Sequence, residues 1–90
     1  MKQQDLSASV DSLLARSASL PAPAERARLR RAGSLTQAEV AEALGVHRVQ
    51  VARWETGRAE PRAPHKQAYA RLLKGLSARY PAPEADPVAG

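Results

Sequence analysis

The side chains able to do chemistry in this chain are mostly cationic. Eleven arginines and three lysines stand against nine acidic residues, and there is no cysteine. That absence excludes thiolate catalysis, a disulfide framework and a cysteine zinc site. His47 and His65 are isolated from one another in sequence and do not make a metal centre. No carboxylate pair or nucleophile–base set stands out, and Glu39 and Glu42 read as acids on a helix surface. No enzyme activity, metal or cofactor is therefore expected. What remains is an excess of positive charge, net +5, of the kind that suits nucleic acid or an acidic membrane surface.

The charge is unevenly spread. Residues 1–23 carry two basic and two acidic side chains, net zero; residues 24–80 carry twelve against five, net +7; residues 81–90 carry Glu84 and Asp86, net −2. Two Pro-Ala-Pro runs, at 21–23 and 81–83, mark the same divisions. Proline fixes φ, offers no N–H and discourages helix in the residue before it. The expected organisation is an amphipathic helix in residues 1–20, a basic domain over 21–80 and a disordered tail over 81–90. No segment approaches the ~18 apolar residues of a membrane span. Asp5, Asp11 and Arg16 interrupt any leader-like apolar run, so a cytoplasmic location and no membrane partner are expected.

Composition also limits the elements that must position these charges. Hydrophobic residues make up 43% of the 90, but 19 of them are alanine, and isoleucine and phenylalanine are absent. A core must come from ten leucines, six valines and Trp54. Alanine and leucine favour helix, and β-branched residues are few, so the fold class is all-α, a small bundle of about five helices. Leu6, Val10, Leu13, Leu14 and, beyond them, Leu20 mark the apolar side of the first helix, the first four at i, i+4, i+7 and i+8. About 14 residues cannot hold a helix alone, so this one either completes the core or meets its twin in a dimer. Four more helices follow. The first runs from Pro23 or Ala24 to Ala32, with Gly33 as its stop. The second is opened by a Thr36–Glu39 capping box and ends at Gly45. The third runs from about His47 to Thr56 and is closed by Gly57. The fourth starts near Pro64 and continues to about Arg79, with Tyr69, Leu72, Leu73 and Leu76 as its apolar stripe.

The second and third of these helices are separated by about three residues including Gly45, which forces a sharp crossing. Ala41 supplies the small side chain where they touch, while Val40, Leu44, Val46, Val51 and Trp54 hold the angle. The result is a helix-turn-helix. The run Leu35-Thr-Gln-Ala-Glu-Val-Ala-Glu-Ala-Leu-Gly-Val-His-Arg-Val-Gln-Val-Ala-Arg-Trp-Glu-Thr-Gly-Arg58 resembles the phage Cro and repressor-type (XRE-type) DNA-binding domain. The resemblance is dense from about Leu29 to Pro61 and weaker through the last helix.

The resemblance implies a lambda-repressor-like fold and double-stranded DNA as partner, with the helix around 47–56 in the major groove. Arg48, Val49, Gln50 and Arg53 would then read bases, the arginines by bidentate bonds to guanine and Val49 against a thymine methyl. Gln50 lies toward the flank of that face. Gln37, Thr56 and Arg58 would hold phosphates, helped by the exposed amides at the start of the second helix. Glu55 and Arg30 are assigned to a structural ion pair, and Trp54, in period with Val51, to the core. Arg26, Arg28 and Arg31 read as a solvated helix face, and His65 is unassigned.

Some positions depart from the family pattern. His47 stands where serine, threonine or glycine usually begins the recognition helix. Histidine is a poor cap, so it is expected to reach a phosphate and to make binding pH-sensitive near neutrality. Ser34 replaces a common glycine. Arg26 replaces an aliphatic residue, thinning the core that the amphipathic first helix would then fill. The function expected is sequence-specific DNA binding by a small bacterial or phage repressor, acting as a homodimer on a two-fold site. A chain of this length leaves no room beside the domain for a ligand-sensing or peptidase unit. The rival is a protein-interaction module, such as an antitoxin or phage assembly factor, whose N-terminal helix binds another protein.

Overall fold

The computed structural model describes residues 3–82. Among them it forms five helices and no strand: α1 (Gln3–Ser17), α2 (Pro23–Ala32), α3 (Gln37–Leu44), α4 (Arg48–Thr56) and α5 (His65–Arg79). The expectation of a disordered tail falls almost wholly on residues 83–90, outside the described residues.

Local chemistry sets most helix ends. Pro23 occupies the first turn of α2, where a missing N–H costs nothing. The capping box of α3 is formed in both directions: Glu39 N donates to Thr36 Oγ1 at 3.0 Å, and Thr36 N donates to Glu39 Oε1 at 2.7 Å. Gly45 ends α3 with φ 72°, and the next amide, Val46 N, donates back to Ala41 O at 3.0 Å. That left-handed residue reverses the chain within three positions and sets α4 across α3. The end of α2 is less regular. Gly33 has an ordinary φ of −84°, and the left-handed conformation falls on Ser34 instead, at φ 60°. A Cβ at position 33 would lie 2.8 Å from the end of the Leu76 side chain, which would have to shift to admit it.

The core lies between α2, α3, α4 and α5. Leu29, Val40, Ala41, Val51, Trp54, Tyr69, Leu73 and Leu76 form one buried cluster, with Leu35, Leu44, Val46 and Leu72 half-buried against it. Trp54 is 2% exposed and stacks on Tyr69 at 4.9 Å with the rings tilted by 40°. Its place is inside the fold, as its period with Val51 requires.

Two expectations need correction. Arg26 is not on a solvated helix face; it is 4% exposed. Its guanidinium donates to Pro21 O at 2.8 Å, to Trp54 O at 3.1 Å and to both carboxylate oxygens of Glu60 at 3.0 and 3.2 Å. A buried arginine is tolerable only when its donors are answered in this way. The aliphatic position is therefore filled by a charged tie that joins the linker before α2, the end of α4 and the turn after it. Nor does α1 complete the core within a single chain. Leu6, Val10, Leu13 and Leu14 remain exposed, and only Leu20, in the linker, packs against the cluster.

Candidate nucleic-acid interface

The candidate interface is built on α4 and the start of α3. Val51, Trp54 and Glu55 turn one side of α4 into the bundle. The helical period then leaves Arg48, Val49 and Arg53 exposed on the other, with Gln50 half-buried between the two sides. Val49 is 49% exposed, so an apolar surface stands between the two arginines. His47 caps α4 with an extended backbone and no side-chain hydrogen bond, and its ring is in solvent. At the opposite end of α4, about 13 Å away at 1.5 Å per residue, Thr56 and Arg58 flank Gly57 and are exposed.

Gln37, in the first turn of α3, meets the start of α4. Its Oε1 accepts from Arg48 Nη1 at 3.3 Å, and its Nε2 donates to Glu55 Oε1 at 3.1 Å. Glu55 in turn accepts two bonds from Arg30, from Nε at 2.6 Å and from Nη2 at 3.0 Å. The remaining arm of Arg30, Nη1, donates to Leu35 O at 2.9 Å. A continuous chain thus runs from α2 through the interior of the bundle to the exposed face of α4. Thr56 stands apart from it: its hydroxyl donates into its own helix, to Ala52 O at 3.1 Å and Arg53 O at 3.3 Å. Only its lone pairs are left for an outside donor.

The electrostatics follow from which acids are engaged. Glu25 pairs with Arg28, Glu55 with Arg30 and Glu60 with Arg26, so three acids neutralise three arginines of α2. Among the described residues Arg48, Arg53 and Arg58 make no ion pair, and their charge is directed to solvent. Burial by itself pushes the Glu55 carboxyl up. The hydrogen bonds from Arg30 and Gln37 and the charges of Arg30 and Arg31 outweigh it and hold the carboxyl below the ordinary glutamate range. Glu55 therefore stays ionised and keeps its two partners in place. Burial, with the negative Glu55 nearby, pushes the Tyr69 hydroxyl up to about 12.

The arrangement offers an anion-binding surface with two forked arginines and an apolar side chain between them. It offers no nucleophile with a base. Among the described residues no three His, Asp or Glu side chains group closely enough to hold a metal ion, and no helix is long and apolar enough to cross a membrane. Arg26 is the supporting residue that periodicity missed. The available signal was its position, since an arginine where the core wants an aliphatic residue must find partners.

Residues 27–80 match the helix-turn-helix family. No curated protein and no solved structure matches the chain. The matched span begins in α2 and ends just past α5, so it contains every element that builds the interface and leaves out α1. With a capping box before α3, a left-handed glycine between α3 and α4 and a cationic exposed face on α4, the chain belongs to the Cro/repressor-type (XRE-type) helix-turn-helix family of DNA-binding regulators.

Proposed function

We propose that this protein is a sequence-specific repressor that reads the major groove of double-stranded DNA with the exposed face of α4. The observation that carries the reading is the display of Arg48, Val49 and Arg53 on that face, free of ion pairs with the described residues. Arginine presents a planar fork that matches guanine O6 and N7, and each such pair discriminates by about 1–3 kcal/mol against a wrong base. Val49 suits a thymine methyl, and Gln50 reaches a base only at the edge of the footprint. Gln37, His47 and Arg58 surround that face and take phosphates, fixing register without reading sequence, and Thr56 joins them by turning its hydroxyl proton away from Ala52 and Arg53. Gln37 has one amide hydrogen left for a phosphate while the other holds Glu55. Arg30 and Glu55 stay in the interior as support.

One recognition helix covers only a few base pairs, so a two-fold operator read by a homodimer is the natural target. Repression would follow from occupying a promoter, in the cytoplasm of a bacterial or phage-infected cell. The test is selection of bound duplexes from a random pool with the full chain. An enriched, two-fold symmetric site is expected. Uniform recovery of all sequences, with affinity set by salt alone, would overturn the sequence-specific reading.

A further inference from the structure

The charged tie at Arg26 reaches the end of α4 from which the candidate phosphate contact of Arg58 projects. Left-handed Gly57, at φ 77°, closes that helix, and the amides of Gly57 and Arg58 both donate to Arg53 O, the latter at 3.0 Å. Trp54 O is thereby left without an amide of the turn, and Arg26 Nη1 answers it from α2 at 3.1 Å. A cation is favoured there, at the negative end of the helix. Nη1 and Nη2 also grip both carboxylate oxygens of Glu60, at 3.2 and 3.0 Å, two residues beyond Arg58. Nε is fixed to Pro21 O at 2.8 Å, so four of the five guanidinium N–H groups are in use.

We infer that Arg26 and Glu60 are positioning residues for the DNA-backbone contact of Arg58. Their ion pair fixes the turn over residues 57–61 against the end of α4, so that Arg58 meets a phosphate in register with the bases under that helix. The inference rests on the phosphate role proposed for Arg58 and extends it to two residues that act through it. At its start the turn is held by the bond from Arg58 N to Arg53 O. Further on, Ala59 packs against the core and Pro61 is buried, but apolar burial has no direction. Among the described residues, the hydrogen bonds that join residues 57–61 to another helix are the two that Glu60 accepts from Arg26. The fork is what the site requires. A lysine at 26 would keep the charge, but one ammonium cannot span Pro21 O, Trp54 O and both oxygens of Glu60. Charge by itself argues against an acid in this turn. The Glu60 side chain is 58% exposed, and a carboxylate two residues from a phosphate contact opposes binding unless it holds something in place.

The test is a double-mutant cycle on DNA affinity, read by fluorescence anisotropy with the full chain. The probe is the tightest duplex recovered by selection, or any duplex when none is enriched, since phosphate contacts do not read bases. Failure of the sequence-specific reading therefore leaves this test intact. In the wild type, Arg58→Ala should cost about fivefold at about 0.15 M salt, the worth of one released counterion. In Glu60→Ala and in Arg26→Lys the same substitution should cost less than about twofold, because Arg58 has already lost its place. Two other outcomes overturn the inference. If Glu60 merely shielded Arg58, its removal would raise the cost of Arg58→Ala above the wild-type value. If Arg26 and Glu60 served stability alone, the folded fraction would scale both arms of the cycle alike and leave that cost unmoved. Arg28→Lys, whose partners are Glu25 and Tyr80 O, should keep the wild-type cost, and a loss there would equally overturn the assignment. Trp54 fluorescence verifies that each variant is folded. Should Arg26→Lys unfold, Glu60→Ala decides the question, its side chain being largely in water. No cost of Arg58→Ala in the wild type would refute the phosphate role and this inference together. A wild-type cost that persists in both variants would refute this inference alone.

Discussion

Replacing Arg30 by methionine tests whether the interior of the domain rests on the Arg30–Glu55 pair. The side chains are 13% and 4% exposed, with two hydrogen bonds between them at 2.6 and 3.0 Å. Arg30→Met keeps the aliphatic stem but leaves the Glu55 carboxylate buried with only the Gln37 amide. Removing one partner of a buried pair costs about 3–5 kcal/mol, most of it the burden of the charge left behind. Arg30 retains some contact with water, so the lower end, about 3 kcal/mol, is expected. A chain of this size has roughly 5–13 kcal/mol in total, and the variant should remain folded with its urea midpoint well reduced. The double variant Arg30→Met/Glu55→Gln removes the stranded charge and should recover about 2 kcal/mol, a coupling well outside additivity for independent sites. Trp54, the single tryptophan and 2% exposed, reports the transition by fluorescence. A loss below about 1 kcal/mol for Arg30→Met, the value of an exposed pair, would refute the reasoning. A double variant as unstable as the sum of the singles would refute it equally.

The pH dependence follows from the same carboxylate. The folded Glu55 lies below its ordinary value, so its contribution is fully present above the unfolded glutamate value of about 4.3 and is lost as pH falls through the lower folded value. Acid titration of the urea midpoint should show this loss, and Glu55→Gln should be flatter over that window. Comparison with the wild type isolates Glu55 from Glu25, whose carboxyl is held down by its hydrogen bond to Arg28. Ser34 holds a left-handed φ of 60°, so Ser34→Gly should stabilise by about 0.5–1 kcal/mol in the same denaturation assay. Arg48→Ala and Arg53→Ala should relax preference at particular base pairs by about 1–3 kcal/mol, read by competition with single-base variants of the selected site. Arg58→Ala should weaken all sequences alike and lower the salt slope by about one, measured by titrating binding against salt.

Much of the helix-turn-helix was legible because its signals are local. Thr36 and Glu39 are three residues apart and cap one another, and Gly45 is the residue that tolerates φ 72° without a steric penalty. The alternation of Val51 and Trp54 with Arg48 and Arg53 states which side of α4 is inside. Arg26 was not legible in the same way. Its partners Trp54 and Glu60 are 28 and 34 residues away, so its position said that it must find partners but no local pattern said which. Ser34 illustrates a smaller shift, since the glycine beside it was free to take the left-handed turn. The chain nonetheless places that turn one residue later, at Ser34.

The all-helical class, most of the helix limits, the sharp α3–α4 crossing and the cationic character of α4 are already written in the order of the residues. Each depends on residues within about two turns of one another, where steric and hydrogen-bonding rules act without reference to the rest of the chain. Tertiary contacts set the rest of the division of charge between interior and surface, beyond the Arg30–Glu55 pair that the family resemblance already implied. They join three acids to three arginines of α2, link Arg30 through Glu55 and Gln37 to Arg48, and leave Arg48, Arg53 and Arg58 to the solvent. They also leave the stripe of α1 uncovered. An ion pair forms or not according to distance and burial in three dimensions, and neither is written in the spacing of the residues.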